Sequence, residues 1–150
     1  MSEVFVLDTS AWIALDELEP GADAVEAILA ASWQGRAEVH AAFVTLTELE
    51  YTRTRTFDAR QAAEILAFVR AQRVTWHHSD DEWCAAAAKM KAAHTMSLAD
   101  AFVSALALRL NATLVHKDPE FAALGQTIKQ QLLPPKPKAT ATKTRAKGNK

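Results

Sequence analysis

Four acidic residues stand at points where the sequence pattern turns from strand or loop into helix: Asp8, Glu48, Asp100 and Asp118. In a parallel α/β sheet the carboxyl ends of the strands gather along one edge, where ligands normally bind. Carboxylates delivered to that edge form an oxygen-rich cage suited to Mg²⁺ or Mn²⁺. The spacing therefore predicts a divalent-metal site as the functional centre of the chain.

The elements that would position these acids alternate between strand and helix. We predict strands at 3–8, 38–44, 74–78 and 113–116, an edge strand at 127–132, and helices at 10–18, 22–33, 48–55, 59–72, 79–94, 97–110 and 119–124. In a chain of 150 residues this alternation predicts one three-layer α/β/α domain. Its sheet would be mainly parallel, with four to five strands.

Each acid also has a purely structural interpretation as a helix cap. Asp118-Pro119 is typical of an N-cap followed by proline, and Asp8 could cap the helix after the first strand. Thr45-x-x-Glu48 and Ser97-x-x-Asp100 both fit the capping-box pattern. Capping and metal binding are compatible, because a helix N-terminus favours an ionised carboxylate. Capping alone does not explain why several acids should share one edge of the sheet.

Four segments of the chain resemble, in order, the four motifs of PIN-domain nucleases: Val6–Ser10, Thr47–Leu49, Ser97–Phe102 and Leu114–Phe121. The resemblance covers roughly residues 3–125. By size and layout the chain is most similar to the VapC-type toxins of toxin–antitoxin pairs. The resemblance thus implies a PIN-like fold.

The resemblance also implies a function. Asp8, Glu48, Asp100 and Asp118 would hold one or two Mg²⁺ or Mn²⁺ ions, with Asp8 and Asp118 as direct ligands and Glu48 and Asp100 as direct or water-mediated ligands. Such ions activate water for attack on a phosphodiester bond. The implied activity is endoribonuclease cleavage of RNA, and the implied partners are an antitoxin and a second copy of the chain.

The sequence also allows three other hypotheses about the function. The chain could be an RNA-processing PIN nuclease without an antitoxin, or a non-catalytic binding module whose acids only cap helices. A phosphate-transfer enzyme with Asp8 as nucleophile is disfavoured, because Ser10 stands where such enzymes usually carry a second aspartate.

Four residues beside the acids bear on the site. Ser10 matches a small polar position that supports the first aspartate. His116 departs from the Thr or Ser usual two residues before the last aspartate, and we consider His116 and Lys117 as candidates for RNA contact. Glu50 competes with Glu48, but residues two apart on a helix point in nearly opposite directions, so only one of them can join the cage. We favour Glu48, because it precedes Leu49 and lies nearer the start of the predicted helix.

Composition limits the remaining choices. The single Cys84 excludes an internal disulfide framework and a zinc site built from cysteines. No apolar run approaches the roughly 20 residues that span a bilayer, so we expect a cytoplasmic protein with no membrane partner. Of the 17 basic residues, six lie in Lys136–Lys150, which leaves 11 against 18 acidic residues and a body charge of about −7. We expect a nuclease domain at 1–133 and a disordered basic tail at 134–150.

Overall fold

A computed structural model describes residues 2–137 of the chain. Its strands are β1 (Glu3–Leu7), β2 (Ala37–Ala42), β3 (Thr75–His77), β4 (Thr113–His116) and β5 (Lys129–Leu132). Its helices are α1 (Thr9–Asp16), α2 (Ala22–Trp33), α3 (Phe43–Thr56), α4 (Ala59–Ala71), α5 (Asp81–Ala93) and α6 (Leu98–Arg109), followed by a 3₁₀ segment at Pro119–Thr127. The alternation of strands and helices follows the prediction from the sequence.

The strands form one sheet in the order β3-β2-β1-β4-β5. Every pairing is parallel, with Phe5 in register with Val39 of β2 and with Thr113 of β4. From β1 the chain winds first towards β2 and β3, and later returns to the other side of β1 as β4. The topology therefore reverses between β1 and β4, and ligands of open α/β sheets bind at the carboxyl ends of such strands.

Two apolar clusters cover the two faces of the sheet. One lies under α1 to α4 and includes the fully buried Trp12, Leu49 and Val69. The other lies under α5, α6 and the 3₁₀ segment and includes Trp83 and Phe121. Apolar side chains thus pack on both sides of the sheet, and the three-layer α/β/α prediction is confirmed.

Two predicted helix starts are wrong. Helix α3 begins at Phe43, directly after β2, and not near Glu48. Phe43 packs edge-on against Trp83 and Phe102, with ring centroids 5.5 and 5.4 Å apart, so tertiary packing overrides the strand-like local pattern. Helix α5 begins at Asp81, two residues after its predicted start, and is capped by Asp80, whose carboxylate accepts a hydrogen bond from the backbone N–H of Trp83.

The last described residues are tied to the domain. Leu133 is buried, and its backbone N–H donates to the carbonyl of His116 at 2.8 Å. Lys136 Nζ lies 2.7 Å from Glu19 Oε2 and 3.4 Å from Glu17 Oε2. Lys136, the first basic residue of the predicted tail, thus pairs with acids of the domain, and residues 138–150 of that tail lie outside the described part. Within residues 2–137 no helix is long and apolar enough to cross a membrane.

Candidate active site

The first acid of the site lies at the reversal point of the sheet. Asp8 follows β1 directly, and its backbone N–H donates to the carbonyl of Val115 in β4 at 3.0 Å. Its carboxylate caps α1, because Oδ2 accepts from the backbone N–H of Ser10 at 3.1 Å and from the Ser10 hydroxyl at 2.5 Å. The Ser10 hydroxyl in turn accepts from the backbone N–H of Lys117 at 2.9 Å. Ser10 therefore joins the ends of β1 and β4, in keeping with its predicted supporting role.

The second acid comes from the second turn of α3. The Thr9 hydroxyl lies 2.8 Å from Glu48 Oε1, so Glu48 points towards the end of β1. Glu50 is exposed on another side of the helix, as its spacing from Glu48 predicts. The capping-box interpretation of Thr45 and Glu48 is wrong, because the N-cap of α3 is Ala42 and Thr45 lies buried inside the helix.

The third and fourth acids lie close together. Ser97 caps α6 by accepting from the backbone N–H of Asp100, so the carboxylate of Asp100 is not needed to begin the helix. Asp118 caps the 3₁₀ segment, its carboxylate accepting from the backbone N–H of Glu120. Oxygens of Asp100, Asp118 and Glu120 all lie within 4.8 Å of one another.

Glu120 is a member of this cluster that the sequence reasoning did not select. It stands two residues after Asp118, inside the fourth motif, and its spacing was the available signal. The 3₁₀ turn after Pro119 brings its side chain back towards Asp118. The site therefore offers five carboxylates at the carboxyl edge of the sheet.

Burial and mutual repulsion make ionisation of Asp8, Glu48 and Asp100 costly. Burial raises the pKa of Asp8 to about 6, against the hydrogen bonds from Ser10, and the charge of Glu48 adds to the rise. Burial and then the charge of Asp8 raise the pKa of Asp100 to about 7, with Asp118 and Glu120 contributing. The pKa of Glu48 is also raised, first by burial and then by Asp100 and Asp118, despite the opposing hydrogen bond from Thr9.

The part of the chain that contains these acids matches the model of a known protein family. The model of the PIN domain matches residues 5–126, which is most of the chain. The chain belongs to the PIN domain family. The match spans Asp8, Glu48, Asp100 and Asp118, and the family resemblance inferred from the four motifs is confirmed.

Solved structures share the fold of this PIN domain. VapBC2 from Rickettsia felis, bound to a DNA fragment from its promoter, is similar with a TM-score of 0.69 and 14% identity, over 87% of this chain and 99% of that one. VapC20 of Mycobacterium tuberculosis, described as a sarcin–ricin loop cleaving toxin, has a TM-score of 0.65 and 21% identity, over 82% of this chain and 95% of that one. VapBC-1 from nontypeable Haemophilus influenzae has a TM-score of 0.63 and 19% identity, over 86% of this chain and 97% of that one. Among curated protein sequences, none matches the chain.

The two residues considered for RNA contact have largely buried side chains with partners inside this PIN domain. His116 is 1% exposed, and its Nε2 lies 2.9 Å from Gln130 Oε1 while its ring packs against Phe121. Burial lowers the pKa of His116, which keeps the ring neutral. The Lys117 ammonium is also largely buried and lies 3.2 Å from Glu19 Oε1. His116 is thus a core residue, and Lys117 is held by an internal ion pair.

Proposed function

We propose that this PIN domain is a divalent-metal-dependent endoribonuclease that hydrolyses RNA phosphodiester bonds. One observation carries the proposal: the five clustered carboxylates form no ion pair with any Lys, Arg or His in residues 2–137. Buried acids without a cationic partner are costly, and a bound divalent ion would supply the missing charge.

The donor set fits Mg²⁺ or Mn²⁺, which prefer carboxylate oxygens. Asp8 and Asp118 would be direct ligands, Glu48 and Asp100 direct or water-mediated ligands, and Glu120 a further acid beside Asp100 and Asp118. When bound, such an ion lowers the pKa of a coordinated water and neutralises charge on the phosphate. The protein itself fixes the carboxylates: Ser10 holds Asp8 and Thr9 holds Glu48.

The choice of RNA as substrate is supported by resemblance. The motifs are similar to those of VapC-type toxins, and VapC20, which shares the fold, carries the description of a sarcin–ricin loop cleaving toxin. We further propose that the chain is the toxin of a type II toxin–antitoxin pair, acts in the cytoplasm and forms a homodimer. The division into a nuclease domain at 1–133 and a basic tail at 134–150 is part of the same proposal.

An antitoxin would bind the surface formed by α1, α2 and α4. A cavity of about 540 Å³ lies there, lined by apolar side chains that include Leu15, Leu29, Trp33 and Phe68. Trp33 is 58% exposed and Phe68 44%, and exposed apolar side chains gathered in one patch mark interaction surfaces. Asp16 and Glu26 also line the cavity. We therefore expect a helical antitoxin segment with apolar side chains flanked by basic ones.

Cleavage of a single-stranded or loop RNA with added Mn²⁺ tests the activity. Asp8→Asn, Asp100→Asn and Asp118→Asn should each abolish cleavage while circular dichroism stays that of a folded protein. Asp81→Asn is the matched control, because Asp81 is an exposed acid in the first turn of α5 and is not one of the clustered carboxylates. Full activity in excess EDTA would overturn the proposal, and a chain that is harmless when expressed alone would count against the toxin role.

A further inference from the structure

Two hydrogen-bonded hydroxyl groups, those of Thr9 and Thr45, connect the start of α1 with α3 next to the Glu48 carboxylate. Thr9 Oγ1 lies 2.8 Å from Glu48 Oε1 and 3.1 Å from Thr45 Oγ1. Thr9 is 7% exposed and Thr45 is fully buried. Thr45 and Glu48 are one helical turn apart on α3, so a single side chain at the start of α1 contacts both.

The direction of these hydrogen bonds follows from the number of protons. A hydroxyl has one proton to donate, and an ionised carboxylate can only accept. Thr9 therefore donates to Glu48, and Thr45 donates to Thr9. Thr45 lies away from solvent, so its own hydroxyl depends on Thr9 for this hydrogen bond. Each hydroxyl has a defined partner, and the series of hydrogen bonds ends on the Glu48 carboxylate.

We propose that Thr9 is a positioning residue that holds the Glu48 carboxylate in its metal-binding orientation; this inference rests on the proposed function. A glutamate side chain has three rotatable torsions, and neighbouring negative charges favour its rotation away from the site. Thr9 follows Asp8 directly in the chain, so its hydrogen bond fixes Glu48 relative to the first acid. Outer groups of this kind commonly orient the ligands of metal sites.

Manganese binding by the full chain tests this role separately from catalysis. After removal of metal with EDTA, Mn²⁺ is titrated calorimetrically into the wild type, Thr9→Val and Thr9→Ser. Valine keeps the branched shape and loses the hydroxyl, so we expect Mn²⁺ affinity to fall at least tenfold, the usual effect of removing an outer-shell partner. Serine keeps the hydroxyl and should bind Mn²⁺ nearly as the wild type does.

Two further variants separate positioning from a general structural effect. Thr52→Val is the matched control, because the Thr52 hydroxyl donates to the backbone carbonyl of Glu48 at 2.5 Å and not to its carboxylate; its Mn²⁺ affinity should stay unchanged. In a Glu48→Gln background, Thr9→Val should cause no further loss if it acts through Glu48. A loss of equal size in both backgrounds would overturn the proposal.

The remaining outcomes are also decisive. A wild type that binds Mn²⁺ and a folded Thr9→Val that binds it equally well would refute the role of Thr9 and leave the proposed function intact. A wild type that binds no Mn²⁺ and cleaves no RNA would overturn both. If Thr9→Val does not fold, proton NMR of the wild type replaces it: a slowly exchanging Thr9 hydroxyl proton close to Glu48 is expected, and its absence would refute the hydrogen bond.

Discussion

Replacing Asp100 by Asn should stabilise the metal-free protein, although it removes a charged residue from a helix start. The pKa of Asp100 is about 7 in the folded protein, against an ordinary value of 3.8, because of burial and the charge of Asp8. The folded state therefore holds this proton more tightly than the unfolded chain does. The contribution of Asp100 to the free energy of unfolding therefore falls as pH rises from about 4 through 7, because Asp100 ionises first in the unfolded chain.

The size of the effect follows from these two pKa values. Each unit of difference corresponds to 1.36 kcal/mol, so ionised Asp100 costs about 4 kcal/mol at pH 8 and about 0.5 kcal/mol at pH 4. Asparagine cannot ionise and avoids this cost at every pH. For a domain of this size 1 kcal/mol moves the Tm by about 2–4 °C, so the advantage of the variant should grow by about 7–14 °C between pH 4 and pH 8.

Thermal unfolding in EDTA at pH 4, 6 and 8 measures this difference. Asp81→Asn serves as control, because Asp81 is exposed and, among the described residues, belongs to no group of acids that could hold a metal ion. Its Tm difference from the wild type should not grow in this way. The asparagine variant should also bind Mn²⁺ more weakly, since it removes a ligand charge. A lower Tm for Asp100→Asn at pH 8, or a difference that does not change with pH, would refute the repulsion argument.

Three smaller changes test other parts of the structure. Glu120→Gln should weaken Mn²⁺ binding in calorimetry, and an unchanged affinity would remove Glu120 from the site. Gln130→Leu should cost about 1–3 kcal/mol in urea unfolding, because it leaves the buried His116 without its partner, while Mn²⁺ affinity stays the same. Truncation after Pro137 should leave the Tm unchanged and reduce the log–log salt slope of RNA binding by up to about 3.5, at about 0.7 for each of five lost cations; an unchanged slope would show that residues 138–150 do not bind RNA.

The sequence allowed the sheet and the four acids to be predicted because both depend on local patterns. Short apolar runs separated by amphipathic stretches define a parallel α/β sheet, and such a sheet has one edge at which strands end. Asp8 follows β1 directly and Asp118 lies two residues after the end of β4, so their place at that edge required no knowledge of packing. Asp100 could be recognised because Ser97 already caps α6.

What could not be predicted depends on contacts between distant residues. The start of α3 was misplaced because Phe43 and Val44 have strand propensity, and only packing against Trp83 and Phe102 makes the helix begin there. From the sequence alone, His116 is a polar residue at the end of a predicted strand. In the fold, β5 places Gln130 beside it and the ring is buried. Lys117 stands next to a catalytic candidate in sequence, yet Glu19 holds its side chain.

The site combines rigid support with electrostatic repulsion, and in the proposed metal site this would couple ion binding to stability. Ser10 and Thr9 hold Asp8 and Glu48 by hydrogen bonds, so the carboxylates cannot separate to relieve their repulsion. A protein held in this way lowers its free energy by taking up protons at low pH or a divalent ion at neutral pH. A metal present at a hundred times its Kd stabilises the folded state by about 2.7 kcal/mol. Under the proposed function, the acids that destabilise the metal-free fold are thus the ones that would make ion binding favourable.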